Sequence, residues 1–359
     1  MPEVTSISLS SVRSYQRCQQ LYAYRYIDHI QRRGRSQALD IGSIVHDYLD
    51  RYYTALKAGK KAAEAHSSAS WEVSTEWTPK LKRYSQIAFA AGDTEGAKEI
   101  ADLIRKTGSL ITRYHKARGA EDARRHKVLL VEQRLDNHLT KTVRTRGYAD
   151  LVTQDRETGR VHLWEHKTTK NVPAVSTKLR DLQTLLYGEQ LARFYDTPVD
   201  SVIWNYVRTK EPSVPEVLKS SKVPALTKRA DLDSTWEIYE QAAKEAGVDL
   251  DGSYDQMRER LVGRELTIFF PRWEQVTVAN STVMLRDYLR TGLEIRRFER
   301  RVAEGIVAPI RSLDQACDYC EYNMLCQAAI TGGDTEDLVR MKYEPTERRE
   351  QRNASNQDL

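Results

Sequence analysis

Arg146-Gly-Tyr-Ala-Asp150 is followed fifteen residues later by Glu165-His-Lys167. The first segment places a carboxylate at the end of an apolar-leaning strand pattern, and the second places another on its hairpin partner. Lys167 stands two residues beyond Glu165, so both side chains leave the same face of that strand. Two carboxylates can hold a hard cation such as Mg²⁺, and a nearby ammonium can orient a water or help deprotonate it. Such a set suits metal-assisted phosphodiester hydrolysis. Ala149, Leu151, Val152, Val161, Leu163 and Trp164 surround these charges, and charge among such neighbours is costly unless paired or metal-bound. A structural ion pair accounts for the same residues, and both readings stand at this point.

Gln183 and Tyr187 lie four residues apart on one helical face. Their polar ends can reach a phosphate or an attacking water, while Tyr187 alone also reads as a core aromatic. His46 sits in an early helical pattern, where it reads either as an imidazole ligand or as a satisfied core histidine. Arg13, Arg17, Arg25, Arg32, Arg33 and Arg35 crowd the first 35 residues, with Tyr15, Tyr22, Tyr24 and Tyr26 among them. This suits phosphate contact with base stacking, or an amphipathic helix with tyrosines inward and arginines solvated.

The elements that must position these residues follow from patterning. Ser8-Leu-Ser-Ser11 reads as a cap before a helix carrying Val12, Tyr15, Cys18 and Tyr22, and Ile41–Leu49 begins a second helix. Residues 53–125 are alanine-rich and helical in pattern, with a break at Gly92-Asp93. Val128–Leu135, Thr142–Val152 and Arg160–Lys167 read as strands, the last two joined by the turn Asp155-Arg-Glu-Thr-Gly159. Lys178–Phe194 is a periodic helix, Val202–Val207 and Glu265–Phe270 read as strands, and Val283–Ala303 as a long charged helix. Helices and strands interleave without a composition break, so one elaborated α/β domain over 1–335 is expected. Within it, 36–208 forms the core with a helical insertion at 53–125, and 209–304 an insertion and C-terminal helix. Residues 336–359 read as a polar, disordered tail.

The 56 basic against 51 acidic side chains give a net charge of +5, compatible with nucleic-acid binding without demanding it. No long uncharged apolar run suggests a membrane span, and no secretory signal opens the chain. A cytoplasmic location is therefore expected. The absence of a glycine-rich Walker sequence argues against an ATP-driven helicase.

All four cysteines fall in one pattern, Cys18 and then Cys317-Asp-Tyr-Cys320-Glu-Tyr-Asn-Met-Leu-Cys326. Four thiolates suit a 4Fe–4S cluster or Zn²⁺, and buried free cysteines are the plainer alternative.

The order Gly42-x-x-x-His46, Gly147-x-x-Asp150, Glu165-x-Lys167, Gln183-x-x-x-Tyr187 resembles the RecB-like branch of the PD-(D/E)XK nuclease superfamily. The opening Ser11–Tyr26 resembles the N-terminal segment of Cas4-like and AddB-type nucleases, and Ala149 replaces the proline of the superfamily's name. The resemblance implies a restriction-endonuclease-like core, a central mixed β-sheet flanked by helices. It implies that His46, Asp150 and Glu165 ligate Mg²⁺ or Mn²⁺ with the His166 backbone carbonyl, and that Glu132 is an outer carboxylate. Lys167 would be the catalytic lysine, with Gln183 and Tyr187 positioning the substrate backbone.

Cas4-like and AddB-type nucleases also place one cysteine before the core and three after it. The resemblance therefore favours an iron–sulfur cluster at Cys18, Cys317, Cys320 and Cys326, stapling segments 1–35 and 305–335. It implies a deoxyribonuclease acting on DNA ends or single strands in recombination, repair or phage DNA processing, beside a helicase, recombinase or integrase partner. The alternative is a non-catalytic DNA-binding or scaffold subunit of a helicase–nuclease or CRISPR adaptation complex. The resemblance leaves 53–125 and 210–300 uncovered.

Overall fold

The computed structural model describes residues 4–33, 37–90, 92–174, 181–218, 224–276 and 282–346. A short strand β1 (Thr5–Ile7) leads into α1 (Leu9–Arg17), which opens on a reciprocal cap. The Ser8 hydroxyl accepts from the Ser11 amide, and the Ser11 hydroxyl accepts from the Ser8 amide. The helix does not continue to Tyr22 as its spacing predicts. Cys18 is extended at φ −166°, α2 (Gln19–Tyr22) starts anew, and a π turn spans Ala23–Ile27. The break is held from outside: the Gln20 amide donates to the Ile310 carbonyl at 3.0 Å, and Cys18 Sγ lies 3.7 Å from the same oxygen.

After β2 (Ile30–Arg32) come α3 (Gln37–Lys57), α4 (Ala62–Ala90), α5 (Thr94–Tyr114) and α6 (Ala120–Arg125). Gly92, at φ +80°, makes the expected break between α4 and α5, and Asp93 caps α5. β3 (His126–His138), β4 (Val143–Asp155) and β5 (Val161–Thr169) run longer than their sequence patterns. α7 (Leu182–Phe194) begins at its Asp181 cap, and the 178–180 start expected for it lies outside the described residues. β6 (Ser201–Arg208) follows, then α8 (Trp236–Ala246), α9 (Asp255–Leu261), β7 (Arg272–Val276), α10 (Thr282–Ala303), α11 (Asn323–Thr331), α12 (Thr335–Lys342) and β8 (Tyr343–Pro345).

Two expectations fail. Glu265–Phe270 is not a strand: residues 265–269 form a π turn, and the strand starts after Pro271. Phe269 and Phe270 are adjacent and both fully buried in one core. A strand would send them to opposite faces, whereas a helical turn sends both inward. The polar tail expected from 336 is also structured as far as Thr346. α12 carries Asp334 as its cap, and β8 pairs antiparallel with β2. Residues 347–359 lie outside the described residues.

The main sheet is mixed, ordered β1-β4-β5-β6-β7, with β3 on the other edge of β4. Trp164 packs under α3, α4 and α5. Its neighbour Leu163 packs in the opposite core with Leu186 and Leu191 of α7 and with Tyr288, Ile295 and Phe298 of α10. The sheet is thus the middle of three layers. Residues 226–261 bury a small separate core around Tyr239 and Met257. No described helix is long and apolar enough to cross a membrane.

Candidate active site

One feature of sheet pairing creates the site. On one edge β4 pairs with β3 along its length. On the other it pairs with β1 only at Val143–Thr145 and with β5 only from Leu151 onward. The stretch 146–150 therefore lies between two ladders. Asp150 stands one residue before the last β4–β5 rung, Leu151↔Trp164, and Glu165 one residue after it.

Glu165 is 1% exposed. Its Oε1 pairs with the Lys167 ammonium and accepts from Gln183 Nε2 at 2.8 Å, so α7 closes over β5 at this point. Its Oε2 is buried without a hydrogen-bond partner. Burial, and then the Asp150 charge, push its pKa up to about 8, with Lys167 opposing. Burial alone would lower Lys167, but the fields of Glu165, Asp150 and Asp181 outweigh it and raise the ammonium's pKa. A buried carboxylate with one orphaned oxygen, facing a second carboxylate, suits a cation that replaces the proton.

Asp150 accepts from the His166 amide at 2.8 Å through Oδ2, which fixes it across the end of the ladder. Donor atoms of His46, Glu132 and Asp150 all lie within 4.8 Å of one another, and all three residues are half-buried. His46 reaches this point from α3, its ring 6.2 Å from that of His166. Glu132 lies mid-strand, not near a strand end, at φ +42°. The rungs Val131↔Leu151 and Gln133↔Ala149 flank it, so it stands opposite Asp150. A left-handed residue inside a strand is strained, and here it coincides with convergence of carboxylates.

Tyr187 behaves differently from Gln183. It is buried, and its hydroxyl and ring lie over Gly147, where a Cβ would come within 2.5 Å of the hydroxyl. It thus packs on the open stretch of β4, and only a glycine at 147 leaves it room. Behind the site, Arg272 Nε donates to Asn205 Oδ1 at 2.8 Å, and Asn205 Nδ2 meets His166 Nδ1 at 2.9 Å. Arg272 also pairs with Asp122, and Tyr53 stacks on the His166 ring. This chain fixes the residue between Glu165 and Lys167.

A groove of about 590 Å³ leads from Gln183 and Tyr187 past Arg13, Arg17 and Arg25 to Tyr319, which is 90% exposed. Arg13 pairs with Asp181 at 3.3 Å, tying α1 to the cap of α7. The N-terminal tyrosines point inward: Tyr22 is buried and donates to Glu299, and Tyr24 packs on Tyr322. The four cysteines line a cavity of about 260 Å³ between α1, α2 and the 311–330 segment. Burial raises the Cys320 thiol.

Patterning brought out Asp150, Glu165, Lys167, Gln183 and His46; the fold joins Glu165 to Lys167 and Gln183, and brings His46 and Asp150 into a donor group completed by Glu132 and not by Glu165. It missed Asp181, the cap two residues before Gln183, and the Arg272–Asn205 support, which is remote in sequence, and it undervalued Glu132. The only trace of Glu132 was an acid inside the apolar run Leu129-Leu-Val-Glu132.

A family model for the PD-(D/E)XK nuclease superfamily matches residues 6–327. Among solved structures, the chain is similar to a "Putative exonuclease" from Eubacterium rectale at 11% identity and a TM-score of 0.44, covering 88% of this chain and 87% of that one. No curated protein matches it.

Proposed function

Because the chain belongs to the PD-(D/E)XK nuclease superfamily, we propose that it is a metal-dependent deoxyribonuclease acting on DNA ends or single strands. The observation that carries this reading is the buried Glu165, held by Lys167 and Gln183 through one oxygen and unpartnered at the other, beside an Asp150 that converges with His46 and Glu132. This donor set of carboxylates and one imidazole fits Mg²⁺ or Mn²⁺. Such an ion, when bound, polarises the scissile phosphate and lowers the pKa of the attacking water.

The chain's own residues do the rest. Lys167 orients the water and offsets charge developing on the phosphoryl oxygens. Gln183 fixes the Glu165 carboxylate, and Tyr187 holds the open stretch of β4 in place. Arg13 and Arg17 guide the strand's phosphates along the groove, and Tyr319 offers a face for a base.

For the cysteines, an iron–sulfur cluster is the reading we favour over zinc. All four line one cavity, and their order, one before the core and three after it, resembles that of the cluster-bearing Cas4-like and AddB-type nucleases. Brown, anaerobically purified protein with near-equal iron and sulfide is expected; colourless protein with stoichiometric zinc overturns the cluster.

Cleavage of single-stranded and blunt DNA with Mn²⁺ tests the activity. Wild type should cut, and Asp150→Ala and Lys167→Ala should not. Equal cleavage by all three sinks the assignment, and no cleavage by any favours a scaffold subunit that keeps the fold.

A further inference from the structure

Three side chains close on one another at the far end of the same strands. His126 opens β3, Asp155 ends β4 directly across from it, and His162 lies one residue into β5. One ring nitrogen from each histidine and a carboxylate oxygen of Asp155 lie within 4.8 Å of one another. The three are 7%, 1% and 2% exposed. Asp155 is five residues from Asp150 along β4, about 16 Å at strand rise. His162, Trp164 and His166 share one face of β5, whereas Glu165 and Lys167 share the other. The cluster is therefore separate from the catalytic one.

Its hydrogen bonding leaves lone pairs turned inward. The Ser201 hydroxyl donates to Glu274 Oε1 at 2.9 Å, and a carboxylate only accepts. Ser201 Oγ must then accept from His162 Nδ1, 2.5 Å away, so Nδ1 carries the proton and Nε2 carries a lone pair. That Nε2 is buried with no partner, and so is Nδ1 of His126. Asp155 accepts two turn amides, Glu157 and Thr158, at Oδ1 and Arg125 Nε at Oδ2. A carboxylate has about four lone-pair sites, so one remains on Oδ2. The hydroxyl–carboxylate relay behind His162 is the support that orients a metal-bound imidazole.

We propose that His126, Asp155 and His162 bind one zinc-class dication, which ties β3, β4 and β5 together at the end of the sheet remote from the catalytic cluster. Two imidazoles and one carboxylate suit zinc or a neighbouring first-row ion over Mg²⁺, which prefers oxygen. Bonds of about 2.0–2.2 Å need donors roughly 3.3–3.5 Å apart, so the side chains draw inward by about an ångström on binding.

The test uses full-length Asp150→Asn protein, in which the catalytic site is weakened, against Asp150→Asn/His162→Gln. Both are loaded with zinc, desalted and analysed for metal. The cysteine pocket is the same in both and cancels. The double variant should hold one zinc equivalent fewer, and equal contents in two folded proteins overturn the proposal. Should His162→Gln not fold, X-ray absorption at the zinc edge of the Asp150→Asn protein decides. Imidazole scattering from two rings supports the site, whereas sulfur-only scattering or no retained zinc refutes it. His162→Gln alone should keep the Mn²⁺-dependent cleavage of wild type, since it touches none of the groups at Asp150.

Discussion

Asp155 and Glu165 are both 1% exposed and belong to one hairpin, yet their surroundings drive them in opposite directions. Burial would raise both. At Asp155 the Thr158 amide, Arg125 and the Glu157 amide overcome burial and hold the carboxyl well below its usual range. At Glu165 burial is reinforced by Asp150 and only partly offset by Lys167, so the pKa rises to about 8. The turn end is built to satisfy its charge. The open end leaves Glu165 Oε2 without a partner, which lowers stability at the place where the proposed catalytic cation would sit.

The comparison breaks most visibly in activity. Asp150→Ala and Lys167→Ala should each reduce Mn²⁺-dependent cleavage by ~10³-fold, with thermal midpoints close to wild type. A large fall in midpoint with activity retained would reverse the roles assigned to the two ends. Asp155→Ala should do the opposite. It leaves the Arg125 guanidinium and two turn amides without their acceptor and should cost about 3 kcal/mol in denaturant unfolding, with cleavage per folded molecule largely kept.

A pH series sharpens the contrast. Glu165 has a folded pKa above its unfolded value, so the native state binds its proton more tightly. Its contribution is fully present below about pH 4.5 and is lost as pH rises through about 8. Metal-free wild type should therefore lose stability across that window relative to Glu165→Gln, and Mn²⁺ should remove the difference. Asp155, whose pKa is depressed, contributes above the normal carboxylate pKa and loses that contribution as pH falls. Unfolding curves from about pH 4 to 9 for wild type against Glu165→Gln, and from about pH 2 to 5 for wild type against Asp155→Ala, read the two slopes.

Smaller effects probe the stretch between the ladders and the groove. Gly147→Ala drives a methyl into the Tyr187 ring and should cost about 1–3 kcal/mol. Adding Tyr187→Leu should recover part of that loss, which identifies the ring as the obstacle. Arg13→Ala and Arg17→Ala should weaken single-strand binding and lower the salt slope by about one each, measured by anisotropy.

Local rules carried much of this structure. Ser8 capped α1 and the Asp155 turn joined two strands because each depends on neighbours a few residues away. The failures have a common cause in distant contacts. Cys18 breaks its helix because Ile310 supplies the competing hydrogen bonds, and Phe269 and Phe270 turn inward because α5 and β6 offer them a core. Glu132 takes a left-handed backbone opposite Asp150, which no local preference announces. His126, Asp155 and His162 fall at three separate strand ends. The registers of β3 and β5 on β4 bring them together.

β2 pairs with β8, and Arg17, Cys18 and Gln20 bond to residues 310–316. The segment 17–32 thus finds its partners only after some 300 further residues exist. At about 5–20 residues per second, synthesis leaves the arginine-lined wall of the groove without its seat for roughly a quarter of a minute to a minute. The segment carrying Asp150 and Glu165 leaves the ribosome well before that wall can dock, so the geometry that would hold a DNA strand is completed last. On the proposed function, a cell making this protein is thereby spared a partly built enzyme with a ready grip on DNA.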